Sequence, residues 1–330
     1  LVFDIGGTNL RGARYSPDDD RIDSPVVEPT PNRILYPEST AVQLYEKLLE
    51  AIAAVGGKLG GENVFSAVSI AFPGPVDCNG RLMAAPGIWG MNPDGPIDMI
   101  DDIKQLWPDL TIFLCNDLTA AGFRYVEMGT ESFCLVTVST GIGGKVFIQG
   151  QPQLGPSGTG GEIGHAKVLF TQKAPICDCG DRGHLQAVSS GRGVLALIQH
   201  HARKKTDSFK TSILGKLDAA PEMVSNKSIA KAFRSGDPFT VKIVQQSISP
   251  LANMLVNLYL ALGLERFIII GGFALALGES YRLDLARQAA TLCWNRQSDW
   301  NSMIQFGCED DLAGLIGAGR LARRKSSIVE

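Results

Sequence analysis

LVFDIGGTNLRGARY, residues 1–15, is the stretch from which the fold is read. Leu1 to Asp4 alternates and is β-prone, and Asn9 to Tyr15 forms a second short strand. Gly6-Gly7 between them suits a hairpin turn, because glycine reaches positive φ without steric cost. A dinucleotide-binding fold requires a helix after more widely spaced glycines, and a Walker loop requires a lysine; neither is present. What remains is a tight turn with exposed N–H groups and the Thr8 hydroxyl, with the Asp4 carboxylate aimed the same way. N–H groups and a hydroxyl hold phosphate oxygens, and a carboxylate holds hydrated magnesium. On these residues alone, an ordinary hairpin with an Asx-type turn is an equally good reading.

The pattern returns in FCLVTVSTGIGGKVFIQGQ, residues 133–151: strand, glycine turn, strand. Two such hairpins, each leading an α/β segment, predict two related halves able to hold one phosphate chain between them. A third apolar strand, RFIIIGG, closes on Gly271-Gly272, where a large middle domain would finish.

Between these landmarks, Ser16 to Pro37 reads as an acidic, proline-rich loop. Leu44, Leu48, Ile52 and Val55 share one face of a helix, with Ser39 or Thr40 to start it and Gly56 to end it. NVFSAVSIAFPGP and TIFLCND are buried strands, the second ending in Asn116 and Asp117, and LTAAGFRYVEMG follows as a helix. Leu185 to Ala261 is mostly helical. The last segment, DDLAGLIGAGRLARR, is a helix whose Gly314, Gly317, Ala318 and Gly319 allow close backbone contact, as at a hinge.

A chain of 330 residues exceeds the usual single core, so two domains are expected. At 45% hydrophobic with 37 glycines it suits a globular α/β enzyme. A net charge of −3 gives no ground for a nucleic-acid or anionic-membrane partner, and Arg323-Arg324-Lys325 reads as a solvated helix end. No apolar run approaches the ~20 residues that span a bilayer. Seven cysteines, with Cys78, Cys115 and Cys134 in or beside core strands, do not form a secreted disulfide framework, so the cytoplasm is expected. The chain starts at Leu1 without a methionine, which leaves a missing N-terminal segment open.

Two constellations carry chemistry. In GEIGH…CDCGDRGH, Cys177 and Cys179 supply thiolates, with His184 five residues on and His165 upstream. That is a tetrahedral Cys₂His₂ zinc set, closed and therefore structural. Asp117 stands where a strand ends and a helix begins, the place where α/β sheets bind ligands. It can accept a proton from an attacking hydroxyl, or simply serve as the helix N-cap; alone, the cap is the better reading.

Taken together, DIGGTN (Asp4–Asn9), Asn116-Asp117, STGIGG (Ser139–Gly144), GEIGH (Gly161–His165), CDCGDRGH (Cys177–His184), IIIGG (Ile268–Gly272) and GLIGAG (Gly314–Gly319) resemble the ROK family of sugar kinases across nearly the whole chain. The resemblance implies a two-domain α/β fold of the actin-like, ribonuclease H-like kind with a cleft between domains. Residues 1–116 plus about 311–330 would form a small domain, and about 117–310 a large one carrying the zinc loop. It implies ATP on Gly6, Gly7, Thr8 and Asn9, with Asp4 near Mg²⁺. Thr140, Gly141 and Gly143 would form a second phosphate turn, and Gly271 and Gly272 the adenosine side. Asp117 would be the catalytic base on a primary hydroxyl. Gly87, Asn116, Glu162, His165 and Gln186 would lie at the sugar. His165, Cys177, Cys179 and His184 would hold a structural Zn²⁺, and the chain would form a homodimer.

Three departures matter. His184 stands where the family usually has a third cysteine, Gln186 where it has a sugar-contacting glutamate, and Gly87 where it has an asparagine. Histidine still ligates zinc. The other two changes alter polar readout, which discriminates hydroxyls strongly. They favour a modified sugar or a C7-cyclitol with an exocyclic CH₂OH over plain glucose. The alternatives are a glucokinase proper, or a sugar-responsive repressor of the same family, whose members tend to lose the phosphate turns.

Overall fold

The computed structural model describes residues 1–60, 64–92, 94–308, 310 and 312–326. Asn63 and Asp311, which fall within two of the segments read above, lie outside them. The strands are β1 (Val2–Ile5), β2 (Asn9–Ser16), β3 (Arg21–Pro29), β4 (Ala67–Phe72), the two-residue ribbons β5 (Ala84–Ala85) and β6 (Gly90–Met91), β7 (Thr111–Asn116), β8 (Phe133–Val138), β9 (Ile142–Ile148), β10 (Gln151–Pro152), β11 (Phe267–Ile270) and β12 (Ile304–Phe306). The helices are α1 (Ala41–Leu59), α2 (Met99–Leu106), α3 (Asp117–Phe123), α4 (Leu185–Ser189), α5 (Gly191–Lys204), α6 (Thr206–Thr211), α7 (Ile213–Leu217), α8 (Asn226–Arg234), α9 (Pro238–Leu262), α10 (Gly272–Leu277), α11 (Glu279–Leu292), α12 (Trp300–Met303) and α13 (Ala313–Ser326). They fall into two compact units: Leu1–Glu131 with Phe147–Gly160 and Asp310–Glu330, and Ser132–Val146 with Gly161–Glu309.

The first unit is a mixed sheet in the order β3-β2-β1-β4-β7. The opening hairpin pairs antiparallel, Ile5 opposite Leu10, while β4 and β7 run parallel to β1. The expected loop over Ser16 to Pro37 instead contains β3 (Arg21–Pro29), antiparallel to β2. Its prolines are tolerated because an edge strand need not donate every N–H. Helix α1 starts at Thr40, whose side chain forms a capping box with Gln43. It does not end at Gly56. That residue is buried where a side chain would meet the Trp107 ring at 2.4 Å, and the helix runs on to a cap at Gly60, φ +128°. Leu44, Leu48, Ile52 and Val55 pack with Phe3, Ile5, Leu10 and Trp89 in one core.

Helix α13 packs on α3 and on the sheet. Its glycines meet their own unit: a Cβ at Gly317 would lie 1.7 Å from the Ala120 carbonyl oxygen, and one at Gly319 2.3 Å from the Tyr15 ring. This packing places α3 in the first unit, so that unit continues past residue 116 to Glu131.

The second unit repeats the grammar. β9 and β8 neighbour each other, and β11 and β12 continue the sheet in parallel. Beyond Val146, β9 enters the first unit, where Phe147 and Ile148 pair with β10. Leu185 to Ala261 is mostly helical as expected, dominated by α9, which starts at Asp237-Pro238 and ends at Gly263 in the left-handed region. Among the described residues no helix is long and apolar enough to cross a membrane. Cys115 and Cys134 are buried, and Cys78 is exposed.

Candidate active site

In the first unit, the DIGGT turn is braced from behind. Thr30 Oγ1 donates to Gly6 O and Asn32 Nδ2 donates to Gly7 O, both at 2.7 Å. Gly6 N–H is used internally, donating to Asn9 O at 2.8 Å. Among the described residues the Gly7 and Thr8 N–H groups have no such partner, and Thr8 is exposed. Asp4 lies 3.6 Å from Arg11 and directly over α13, where a Cβ at Gly314 would come within 2.5 Å of its carboxyl carbon. Gly87 adjoins this turn: a Cβ on Gly7 would be 3.1 Å from Gly87 O.

At the end of β7 the N-cap of α3 is Asn116, not Asp117. Asn116 Oδ1 accepts from Leu118 N at 3.1 Å and Thr119 N at 3.4 Å, and its Nδ2 donates to Gly74 O at 3.1 Å. Asp117 is the first helical residue, its Oδ1 accepting from Asn116 Nδ2 and Leu118 N at 2.8 Å each. The N-cap position is thus taken by Asn116 rather than Asp117, although Asp117 shares the Leu118 N–H. Beneath it, burial pushes the Cys115 thiol up to about 12, so that group is inert.

In the second unit, Ser139 N–H donates to Gly141 O at 2.9 Å, closing the STG turn and leaving Thr140 exposed. Gly271, φ +101°, takes a conformation that favours glycine, and a Cβ there would meet Val138 O at 2.7 Å. Thr140 and Gly272 share a cavity of about 380 Å³ with Asn226, Lys227, Arg234 and Phe273. These last four are residues that sequence reasoning missed. Asn226 Oδ1 is buried with no hydrogen-bond partner among the described residues.

The GEIGH segment is laid along β9 by glycines. A Cβ at Gly161 (φ +87°) would lie 2.5 Å from Gly144 O, and one at Gly164 1.9 Å from Ile142 O. Glu162 thereby reaches Lys145, whose Nζ donates to its Oε1 at 3.1 Å. Gln186 sits beside both this segment and the STG turn: its Nε2 is 2.9 Å from Cys177 Sγ, and its Oε1 would be 3.1 Å from a Cβ on Gly141.

His165, Cys177, Cys179 and His184 converge, each offering a ligand atom within 4.8 Å of the others. Cys177 Sγ is 3.8 Å from His165 Nδ1, and Cys179 Sγ 3.2 Å from His184 Nδ1. Tetrahedral Zn–S and Zn–N bonds of about 2.3 and 2.0 Å put neighbouring ligand atoms at such separations, so the donor set fits zinc. The loop turns through Cys177 N–H to Asp181 O at 2.7 Å, with Gly180 and Gly183 at positive φ.

Two mixed five-stranded sheets, each with a glycine turn between neighbouring strands, are those of the two-domain actin-like fold. A match to the ROK family spans residues 3–325, and the chain belongs to that family. It is 36% identical over 329 residues to the C(7)-cyclitol 7-kinase of Streptomyces hygroscopicus subsp. limoneus, covering 98% of this chain and 93% of that one. It is 28% identical over 343 residues to the 2-epi-5-epi-valiolone 7-kinase of an Actinoplanes species, covering 97% and 92%. Its fold matches the ROK family glucokinase from Streptomyces griseus in complex with glucose and AMPPNP, with a TM-score of 0.73, 25% identity and 98% of each chain covered. The protein is an ATP-dependent phosphotransferase acting on a sugar or cyclitol hydroxyl.

Proposed function

We propose that the chain transfers the γ-phosphoryl group of ATP to the exocyclic primary hydroxyl of a C7-cyclitol or closely related modified sugar. The observation that supports this reading is Asp117: a carboxylate at the tip of β7, on the first residue of α3, oriented by the Asn116 Nδ2 donor. As the acceptor oxygen bonds to phosphorus and the bond to the β-phosphate oxygen breaks, Asp117 takes the hydroxyl proton. Gly7 and Thr8 N–H groups and the Thr8 and Thr140 hydroxyls bind phosphate oxygens, which accumulate charge in the transition state. Asn226, Gly272 and Phe273, which line one cavity, form the adenosine side together with the neighbouring Gly271. Asp4 is the carboxylate beside the turn that would hold Mg²⁺, which when bound would supply charge neutralisation on the phosphates.

Glu162, His165 and Gln186 read the ring hydroxyls. Zn²⁺ on His165, Cys177, Cys179 and His184 braces the segment that carries them, a structural task separate from the transfer. The preference for a cyclitol is supported by the named activity of the relatives at 36% identity, together with Gly87 and Gln186 in place of larger or charged readers. Free thiols suit a reducing, cytoplasmic setting, and family resemblance supports a homodimer. The test is ADP release with 2-epi-5-epi-valiolone, glucose and N-acetylmannosamine as acceptors. The cyclitol is expected to give the highest kcat/KM; a higher value for glucose would overturn the preference.

A further inference from the structure

Lys145 is the most deeply buried charged side chain near the expected substrate groups, 1% exposed, and its partner Glu162 is 39% exposed. Burying an ammonium is costly unless it is paired, and a buried pair is weak evidence for stability, because an apolar replacement is often neutral. The asymmetry is informative. The hidden cation is fixed by β9, and the half-open carboxylate is fixed by the cation. Glycines 144, 161 and 164 press the Glu162 backbone onto β9, so Nζ meets Oε1 at 3.1 Å and Oε2 keeps no protein partner among the described residues. A carboxylate held by one oxygen presents the other in a set direction, which is what recognition of a single ring hydroxyl requires.

We infer that Lys145 is a positioning residue for substrate specificity: it acts through Glu162 to fix the acceptor for one hydroxyl of a neutral polyol ring. This rests on the reading of Glu162 as a substrate contact, and the experiment separates the two. The full zinc-loaded chain is assayed with 2-epi-5-epi-valiolone or glucose, whichever the wild type turns over faster, as Lys145→Met, Glu162→Gln and the double variant.

Lys145→Met is expected to raise acceptor KM by about tenfold or more, leave ATP KM within about threefold and leave the melting temperature unchanged or higher. The double variant should match Glu162→Gln alone, because the two residues act as one unit. If Glu162→Gln raises KM and Lys145→Met does not, or if the two effects multiply, the positioning role is overturned while the substrate site stands. If Lys145→Met lowers the melting temperature and raises both KM values together, the residue is structural and the inference fails. An unchanged KM in Glu162→Gln would remove Glu162 from the substrate site and the inference with it.

Discussion

Asn116 caps the helix that Asp117 begins, and the two side chains touch: Asn116 Nδ2 donates to Asp117 Oδ1 at 2.8 Å. Asn116 thus accepts from the first N–H groups of α3 through its Oδ1, sharing that of Leu118 with Asp117, and through its Nδ2 steers the carboxylate next to it.

Asn116→Ala should therefore do two things. Loss of the cap costs about 1 kcal/mol of stability. Loss of the donor to Asp117 lowers kcat further than that destabilisation explains. Urea melts beside steady-state ADP release measure both; a drop in stability with full turnover would confine Asn116 to capping.

Metal analysis should find about one zinc per chain. Cys177→Ala should lose the metal and lower kcat/KM for the acceptor by about tenfold or more, since the ligand loop and the substrate segment share His165. Nucleotide affinity, read by fluorescent ATP titration, should change little. A metal-free protein with full acceptor kcat/KM would contradict the bracing role.

Gly317→Ala places a methyl group 1.7 Å from the Ala120 carbonyl oxygen and must push α13 off α3. A loss of about 1–3 kcal/mol or more is expected in denaturant melts. Gly57→Ala is the control: nothing lies within 4 Å of its added carbon, and removing a mid-helix glycine should stabilise by about 0.5–1 kcal/mol. Equal effects at the two sites would show that α13 is not closely packed on α3.

Asp20 joins β2 to α13. It accepts from Arg320 Nη2 at 2.6 Å and from Tyr15 OH at 2.7 Å. Partial burial pushes its carboxyl upward, but the Arg320 guanidinium and the Tyr15 hydroxyl outweigh that and hold it below the usual range. A depressed carboxyl contributes stability above its unfolded pKa of about 3.9 and loses it as pH falls through the lower folded value. Asp20→Asn should therefore cost about 1–2 kcal/mol at pH 7. The gap should close at the acid end, below about pH 4. A gap that stays constant in melts from pH 7 to pH 2.5 would rule out the ionic contribution.

The hairpins, the buried strands β4, β7, β8 and β11, and the Cys/His loop were legible because each is written in local chemistry: glycine at a turn, an unbroken apolar run, ligands at short spacing. What escaped depends on partners distant in sequence. β3 is a strand because β2 offers it an edge, despite its prolines. Gly56 stays inside α1 because Trp107 covers it. The segment after α3 stops being helical because Glu131 accepts the N–H groups of Glu127, Met128 and Gly129. Lys145 and Asn226 carried no signal in the chain. A lysine in a strand and an asparagine in a polar loop look solvated until glycine contacts bury the first and a cavity wall takes in the second.

The central claim is that Asp117 accepts the proton of the attacking hydroxyl. Asp117→Asn keeps the shape and the N-terminal helix position, so acceptor binding measured by calorimetry should stay within about threefold, while kcat for ADP release falls by about 10²–10⁴. A kcat within tenfold of the wild type, with the acceptor still bound, would contradict the account.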